Sequence, residues 1–426
     1  MRQSVRSPRK HRHSRLAPVD EANLVLDQPG QVNVFLVAGL LAPGGFVDPD
    51  GHPDLAVLRS VLADRILGIP SLRMIPVRAG RSHRWQDAGP DLDRHVRLTD
   101  PVDSVQGLER LCGDLMTVPM SLERPLWELL IVPGASSGRL GVVLRIHHAI
   151  ADGMAAVEIV HRLFDPVDGA RPPTPAAAAT VRRASAPFRR IGRVAFAIRR
   201  MWLTLRATGV APTVLLGDRG DRSVAFFDAD LAALTARARS AGATLNDALL
   251  AAVTAGYRAT LETAGESIPT GLPISVPVAL RRDGSGANRV GVMLVTLPLT
   301  EHDPDARLRV IAAQTGVEKV RAREQGTLEF MRGPLGARMM NRLARHQHLV
   351  AGFVTNVPGP PAELHLAGAR VTAMWPVAVV AANVRLGTAA VSYAGRLSCS
   401  VQYDSATVPG EAFVRATRAE LERLGG

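Results

Sequence analysis

The sequence predicts a mixed α/β protein of two lobes joined by a long crossover, with a histidine-bearing loop presented between them. Three observations carry this. The chain has 426 residues, more than one ordinary core of about 100–200 residues accommodates. Apolar residues alternate between strand-like and helix-like spacing along both halves. Between the halves lies a stretch rich in Pro, Ala and Arg, which is linker composition.

Residues 1–15 hold six Lys or Arg and no acid, with no apolar run behind them. They read as a disordered basic tail, not a secretory signal. The first lobe is assigned to residues 16–170. Within it, 32–41, 129–132 and 140–146 are predicted strands. Residues 55–66 are a predicted helix with Leu55, Leu58, Leu62 and Ile66 on one face. After Gly153, Met154, Val157, Val160, Leu163 and Phe164 fall at helical spacing, so the chain passes from strand through a loop into a helix.

The linker is assigned to residues 171–222. It opens with Pro172, Pro173 and Pro175, and beyond Pro187 the residues Phe188, Ile191, Ala195, Ile198, Trp202 and Leu205 recur at steps of three and four among arginines. Such a basic amphipathic helix can lie in a membrane interface or brace the two lobes. The second lobe, residues 223–426, is predicted to contain helices at 231–239, 245–261 and 409–424, and strands at 273–278, 290–297, 389–393 and 398–402.

The net charge of +12 resembles a nucleic-acid signal until its placement is considered. The tail contributes +6 and residues 171–222 contribute +9, which leaves the lobes slightly acidic. Basic peripheral segments on near-neutral lobes suit an anionic membrane or a polyphosphate ligand. Aromatic residues make up 4% of the chain, no basic-aromatic stripe is present, and no nucleic-acid partner is expected. No apolar run reaches the roughly 18 residues needed to span a bilayer. Cys112 and Cys399 cannot form a disulfide framework, so a cytoplasmic chain in a reducing compartment is expected.

The chemistry is concentrated in His147-His148-Ala149-Ile150-Ala151-Asp152-Gly153, directly after the apolar strand 142–146. Adjacent histidines cannot point the same way in extended chain, so at most one faces a cleft. A neutral imidazole can take a proton from a hydroxyl and return it to a leaving thiolate. Asp152 can fix the loop by a salt bridge, and Gly153 permits a tight start to the helix. A zinc site is not expected, because the pair lacks ligand spacing. Gly134-Ala135-Ser136-Ser137-Gly138 matches the nucleophile-elbow pattern by letter, but its predicted hairpin setting makes Ser136 a turn residue.

Six further blocks accompany that run: Arg124-Pro125-Leu126-Trp127-Glu128, Leu245-Asn246-Asp247, residues 276–281, residues 286–290, Thr355-Asn356-Val357-Pro358-Gly359-Pro360 and residues 392–395. Together, over about residues 16–424, they resemble the bacterial wax ester synthase/acyl-CoA:diacylglycerol acyltransferase family, within the superfamily of chloramphenicol acetyltransferase and condensation domains. The resemblance implies two chloramphenicol acetyltransferase-like lobes with an active-site tunnel between them. It implies His148 as general base, acyl-CoA as co-substrate without a further cofactor, and diacylglycerol or a long-chain alcohol as acceptor. His147 and Asp152 would be structural, and Arg281 a partner for Asp152.

Asn246 would donate to the oxyanion, or else cap the helix that follows it. Pro125 and Trp127 would shape a wall of the acyl channel or belong to the core, Gly153 would lie on the substrate path, and Asn356 would sit in a turn lining the cleft. Peripheral association with a membrane or lipid droplet would bring the enzyme to oily substrates. Two other functions share the histidine run: acyl transfer from a carrier-protein thioester, and lipid-droplet coating without catalysis.

Overall fold

The computed structural model describes residues 15–27, 32–80, 82–166, 209–218, 220–280, 289–325, 338, 341–342, 344–380 and 382–426. Residues 1–14 of the basic tail, the amphipathic segment at 188–205 and Arg281 with its glycine-rich neighbours lie outside the described residues. Arg15, the last residue of the tail, pairs with Arg84.

The first half builds α1 (Pro18–Val25), β1 (Val34–Leu41), α2 (Leu55–Leu67), the hairpin β2 (Met74–Ala79) and β3 (Ser82–Asp87), α3 (Leu92–His95), β4 (Val96–Leu98), α4 (Val105–Leu115), β5 (Trp127–Ser136), β6 (Arg139–His147), α5 (Gly153–Leu163) and β7 (Asp165–Pro166). The second half adds β8 (Arg222–Asp230), α6 (Leu231–Ser240), α7 (Leu245–Thr263), β9 (Leu272–Leu280), β10 (Arg289–Leu297), α8 (Pro304–Gln325), β11 (Gly352–Val357), β12 (Leu364–Leu366), β13 (Ala369–Val377), β14 (Leu386–Tyr393), β15 (Arg396–Asp404) and α9 (Gly410–Gly425).

Among the described residues the sequence-predicted strands and helices form, with ends within a few residues of expectation. The hairpin between β5 and β6 turns at Ser137 and Gly138, the latter at positive φ; Ser136, expected in the turn, is instead the last residue of β5, opposite Arg139.

Two sheets organise the molecule. The first has the order β4-β5-β6-β1-β13-β12-β7, and the second β10-β9-β11-β14-β15-β8. The first sheet is therefore not confined to the N-terminal half. β13 lies antiparallel against β1, pairing Leu36 with Val377 and Ala38 with Trp375. Residues 223–426, assigned to one lobe from sequence, thus contribute two strands to the opposite sheet.

Chain separation hides this exchange, because strand pairing between residues some 330 apart leaves no local trace. Gly39 shows why the pairing is close: a Cβ there would lie 2.6 Å from the Ala373 carbonyl oxygen.

Each sheet face buries an apolar layer. Leu58, Leu62 and Ile66 of α2 join Ile159 and Val160 of α5 against one face of the first sheet. On its other face, Leu108 and Cys112 of α4 pack with Val224 and Phe226 of β8 and with Trp375. The second sheet is covered by α6, α7, α8 and α9, with Leu249, Val253, Leu308, Phe413 and Leu421 in one core. Cys112 and Cys399 are free thiols buried in different cores.

Candidate active site

β6 runs buried to His147, and the loop after it carries His148 before α5 begins at Gly153. The two rings diverge as the pleat demands. His147 is fully buried. Its Nδ1 accepts the Ala149 N–H at 2.9 Å, and its Nε2 lies 3.0 Å from Asp27 Oδ2. A nitrogen that accepts an N–H carries no proton, so this network assigns the ring the neutral tautomer with hydrogen on Nε2, donating to Asp27.

His148 is half-buried. Its ring meets the edge of Phe35 at 4.9 Å between centroids and 61° between planes. Burial lowers its pKa to about 4; His147 pushes the same way, while Asp152, the Ala151 backbone and Asp27 oppose. The ring is a free base at neutral pH. Its backbone is clamped on both sides: the N–H donates to Asn33 O at 2.9 Å, and Asn23 Nδ2 donates to its carbonyl at 3.0 Å.

Asp152 caps α5, its Oδ1 accepting the Ala155 N–H at 2.9 Å with extended backbone at the cap. Gly153, the first residue of α5, is not held in the left-handed region. A Cβ there would meet Val357 Cγ2 at 3.5 Å, an ordinary contact. The tight helix start that Gly153 was expected to permit thus makes no use of glycine's conformational freedom. The same contact shows that the end of β11 abuts the histidine loop. Thr355 and Asn356 lie within β11, Asn356 opposite Ala390 of β14, whereas the sequence suggested a turn. The turn follows them, where the Gly359 N–H donates to Ser392 Oγ at 3.1 Å.

Asn246 is the second residue of α7. The cap belongs to Thr244, whose hydroxyl accepts the Asp247 N–H while Asp247 Oδ2 accepts the Thr244 N–H, a reciprocal capping box. The capping alternative for Asn246 is thereby removed. Its half-buried amide has no hydrogen-bond partner among the described residues.

Trp127 is 1% exposed and donates its ring N–H to Leu72 O at 2.8 Å, so it serves the core beneath α2 and not a channel wall. Pro125 is buried beside it, its carbonyl receiving the Trp127 N–H and lying 3.1 Å from His95 Nε2.

Sequence reasoning missed the contribution of α1 and the residue pair flanking it. Asp27 and Asn33 hold the histidine loop, and Asn23 reaches it from the helix. Asp20, also on α1, feels the Asp152 charge; burial, with that repulsion as a smaller contribution, raises its pKa to about 6 against hydrogen bonds to the Ala17 backbone and the Trp85 side chain. No chemical motif marks this segment; Pro18 at the helix start and Asp20 and Glu21 in the first turn were the available signals.

Comparison with solved structures places the architecture. A wax ester synthase/diacylglycerol acyltransferase from Marinobacter aquaeolei superposes with a TM-score of 0.71, covering 97% of this chain and all of that one at 20% identity. The starter condensation domain of rhizomide synthetase, in complex with C8-CoA, superposes at 0.61, with 97% and 94% coverage and 17% identity. The protein therefore has the condensation-like fold.

Among sequence relatives, a Mycobacterium tuberculosis protein carrying the name diacylglycerol O-acyltransferase tgs1 is 29% identical over 408 residues, 87% of each chain. A second from that organism, also named as a diacylglycerol O-acyltransferase, is 29% identical over 398 residues, 84% of each. The class is that of an O-acyltransferase.

The wax ester synthase/diacylglycerol acyltransferase catalytic domain matches residues 16–215, and the C-terminal domain of the same family matches residues 286–424. This chain belongs to the wax ester synthase/diacylglycerol acyltransferase family. Among the described residues no helix is long and apolar enough to cross a membrane.

Proposed function

We propose that the protein esterifies a lipid alcohol, diacylglycerol or a long-chain alcohol, with the acyl group of acyl-CoA, and that His148 is the general base. One observation supports this above the others: of the two adjacent imidazoles, His147 has both nitrogens engaged and is sealed from solvent, whereas His148 is half-buried and kept neutral by its surroundings. A base must begin the reaction without a proton.

His148 takes the hydroxyl proton as the alcohol oxygen bonds to the thioester carbon. Charge moves onto the carbonyl oxygen, then returns as the carbon–sulfur bond breaks. The proton passes from His148 to the CoA sulfur, giving ester and free thiol with no acyl-enzyme. Asn246, with its uncommitted amide at the start of α7, is the candidate donor to the oxyanion. Asn356 and Gly153 occupy the seam where β11 meets the histidine loop, a suitable place to receive the acceptor. Beyond acyl-CoA as co-substrate, these steps call for no cofactor. The basic charge of residues 171–222 would hold the enzyme at an anionic lipid surface where both oily substrate and product reside.

The test is thiol release from palmitoyl-CoA with dioleoylglycerol or hexadecanol as acceptor. Acceptor-dependent release by the native protein and at least a thousandfold less by His148→Ala is the expected result. General base catalysis alone contributes about 10²–10⁴-fold. Equal turnover by the two proteins would remove His148 from the role, and activity confined to a phosphopantetheinyl carrier thioester would replace CoA as donor.

A further inference from the structure

We propose that Asp27 is a positioning residue that acts on His148 through His147, by holding the tautomer that lets His147 brace the reactive loop. The inference rests on the reading of His148 as base. The geometry is a chain of single-valued contacts. Asp27 Oδ2 is 3.0 Å from His147 Nε2, and Nδ1 of the same ring receives the Ala149 N–H at 2.9 Å. Asp27 Oδ1 accepts the Asn33 N–H at 2.6 Å, and Asn33 O accepts the His148 N–H at 2.9 Å. The residues on either side of His148 in space thus trace back to the two oxygens of one carboxylate.

The direction of each hydrogen bond makes the network sensitive to a single atom. Ala149 N–H can only donate, so Nδ1 must be bare and Nε2 must carry hydrogen. Asp27 can only accept when ionised, which matches. Arg145, buried two residues earlier on the same face of β6, is ion-paired with Glu128 at 2.9 Å and interacts more weakly with the Asp27 charge. Asp27 itself has 18% of its side chain exposed, against none for His147, so the contact is made at the inner end of the carboxylate.

Asp27→Asn changes one oxygen to an amino group at nearly constant shape. The amide then has one acceptor oxygen for two donors, Asn33 N–H and His147 Nε2–H. If the oxygen stays on Asn33, the amino group opposes Nε2–H. The ring can relieve this only by moving its hydrogen to Nδ1, which then opposes Ala149 N–H. If the amide turns over, the conflict falls on Asn33 and the backbone that receives the His148 N–H. Either way the loop shifts, and a misplacement near 1 Å costs about 10²-fold in rate.

Expected results follow for steady-state kinetics with acyl-CoA and a lipid alcohol. Asp27→Asn should lower kcat about 10- to 100-fold while the KM for acyl-CoA stays within about twofold of native, since Asp27 is placed to touch the loop and not the substrate. Asp27→Glu, which keeps two acceptor oxygens, should recover most of that loss. In a double-mutant cycle with His147→Ala, the pair should be no slower than the worse single variant, because both changes cut the same line of contacts.

Native kcat in Asp27→Asn, additive losses in the cycle, or a Glu variant no better than Asn would overturn the proposal. So would unfolding of Asp27→Asn below the assay temperature, read by circular dichroism, which would give Asp27 a purely structural role. His148→Ala separates the two readings. If it keeps turnover, the base assignment fails; if it is inactive while Asp27→Asn and His147→Ala are native-like, only the role of Asp27 fails.

Discussion

His147 and His148 are neighbours with opposite surroundings, and their separation has consequences for pH. The free-base state of His148 persists down to about pH 4 because burial disfavours the imidazolium. The acid limb of kcat/KM should therefore fall near pH 4, with a plateau above about pH 5; a limb near 6.5 in a pH–rate series would mean the ring is solvated in the working enzyme. Stability carries the matching sign. In the unfolded chain the ring binds a proton near pH 6.5, so between 6.5 and 4 the unfolded state holds more protons and acidification costs stability. His148→Gln should flatten that part of a stability-versus-pH curve measured by urea unfolding.

Asn246 and Thr244 offer a second residue-level contrast. Thr244→Ala removes a reciprocal cap and should cost about 1 kcal/mol with little change in kcat. Asn246→Ala should leave stability within about 0.5 kcal/mol and lower kcat about 10²–10³-fold if its amide serves the oxyanion. Equal kcat in both variants would leave Asn246 without that role.

At the scale of elements, the sheets are brought together by small residues that let backbones approach. Gly113 on α4 sits against β8, where a Cβ would fall 2.4 Å from the Arg222 carbonyl oxygen. Backbone cannot yield as a flexible side chain can, so Gly113→Ala should force α4 away from β8 and destabilise by about 1–3 kcal/mol, as overpacking does. A shift in the urea midpoint checks this, and an unchanged midpoint would mean that α4 slides freely. Glu109, on the same helix, accepts the Phe226 N–H, so the two elements also share a hydrogen bond that such a shift would strain. Helices α2, α5, α6, α7 and α9 were legible because their apolar residues recur at helical spacing. Helices α4 and α8 went unpredicted, and α8, the longest, has charged residues spread along its length in place of a continuous apolar stripe. The short hairpin β2–β3 and β13 were not legible either, since Arg, His, Gln and Pro interrupt their alternation and burial depends on partners elsewhere.

Across the whole molecule, the two sheets meet around Trp375. Its ring lies parallel to Phe226 at 4.7 Å, and its Nε1 donates to Asp228 Oδ2 at 3.3 Å. Ser398 Oγ donates to the other oxygen of Asp228 at 2.6 Å. Trp375 belongs to β13 and Phe226 to β8, so this cluster joins the exchanged strand of the first sheet to the edge of the second. Trp375→Ala should cost about 3–5 kcal/mol. Because the seam between β11 and the histidine loop depends on both sheets, activity should fall with it, and Trp375→Phe should retain more of each. Thermal unfolding of the three proteins, alongside thiol-release rates, makes the comparison.

Local order in the chain was enough to determine the α/β class, the strand–loop–helix setting of His148, the neutrality of the lobes and, through seven ordered blocks, the family. Each of these is written in nearest-neighbour spacing or in residue identity, which survive without a fold. Tertiary structure alone decided that β13 crosses to the first sheet, that Asp27 reaches His147 from 120 residues away, that Trp127 is core, and which of two imidazoles is sealed. Such outcomes depend on pairing between distant segments and on desolvation, and neither burial nor a hydrogen-bond partner is a property that one residue carries by itself.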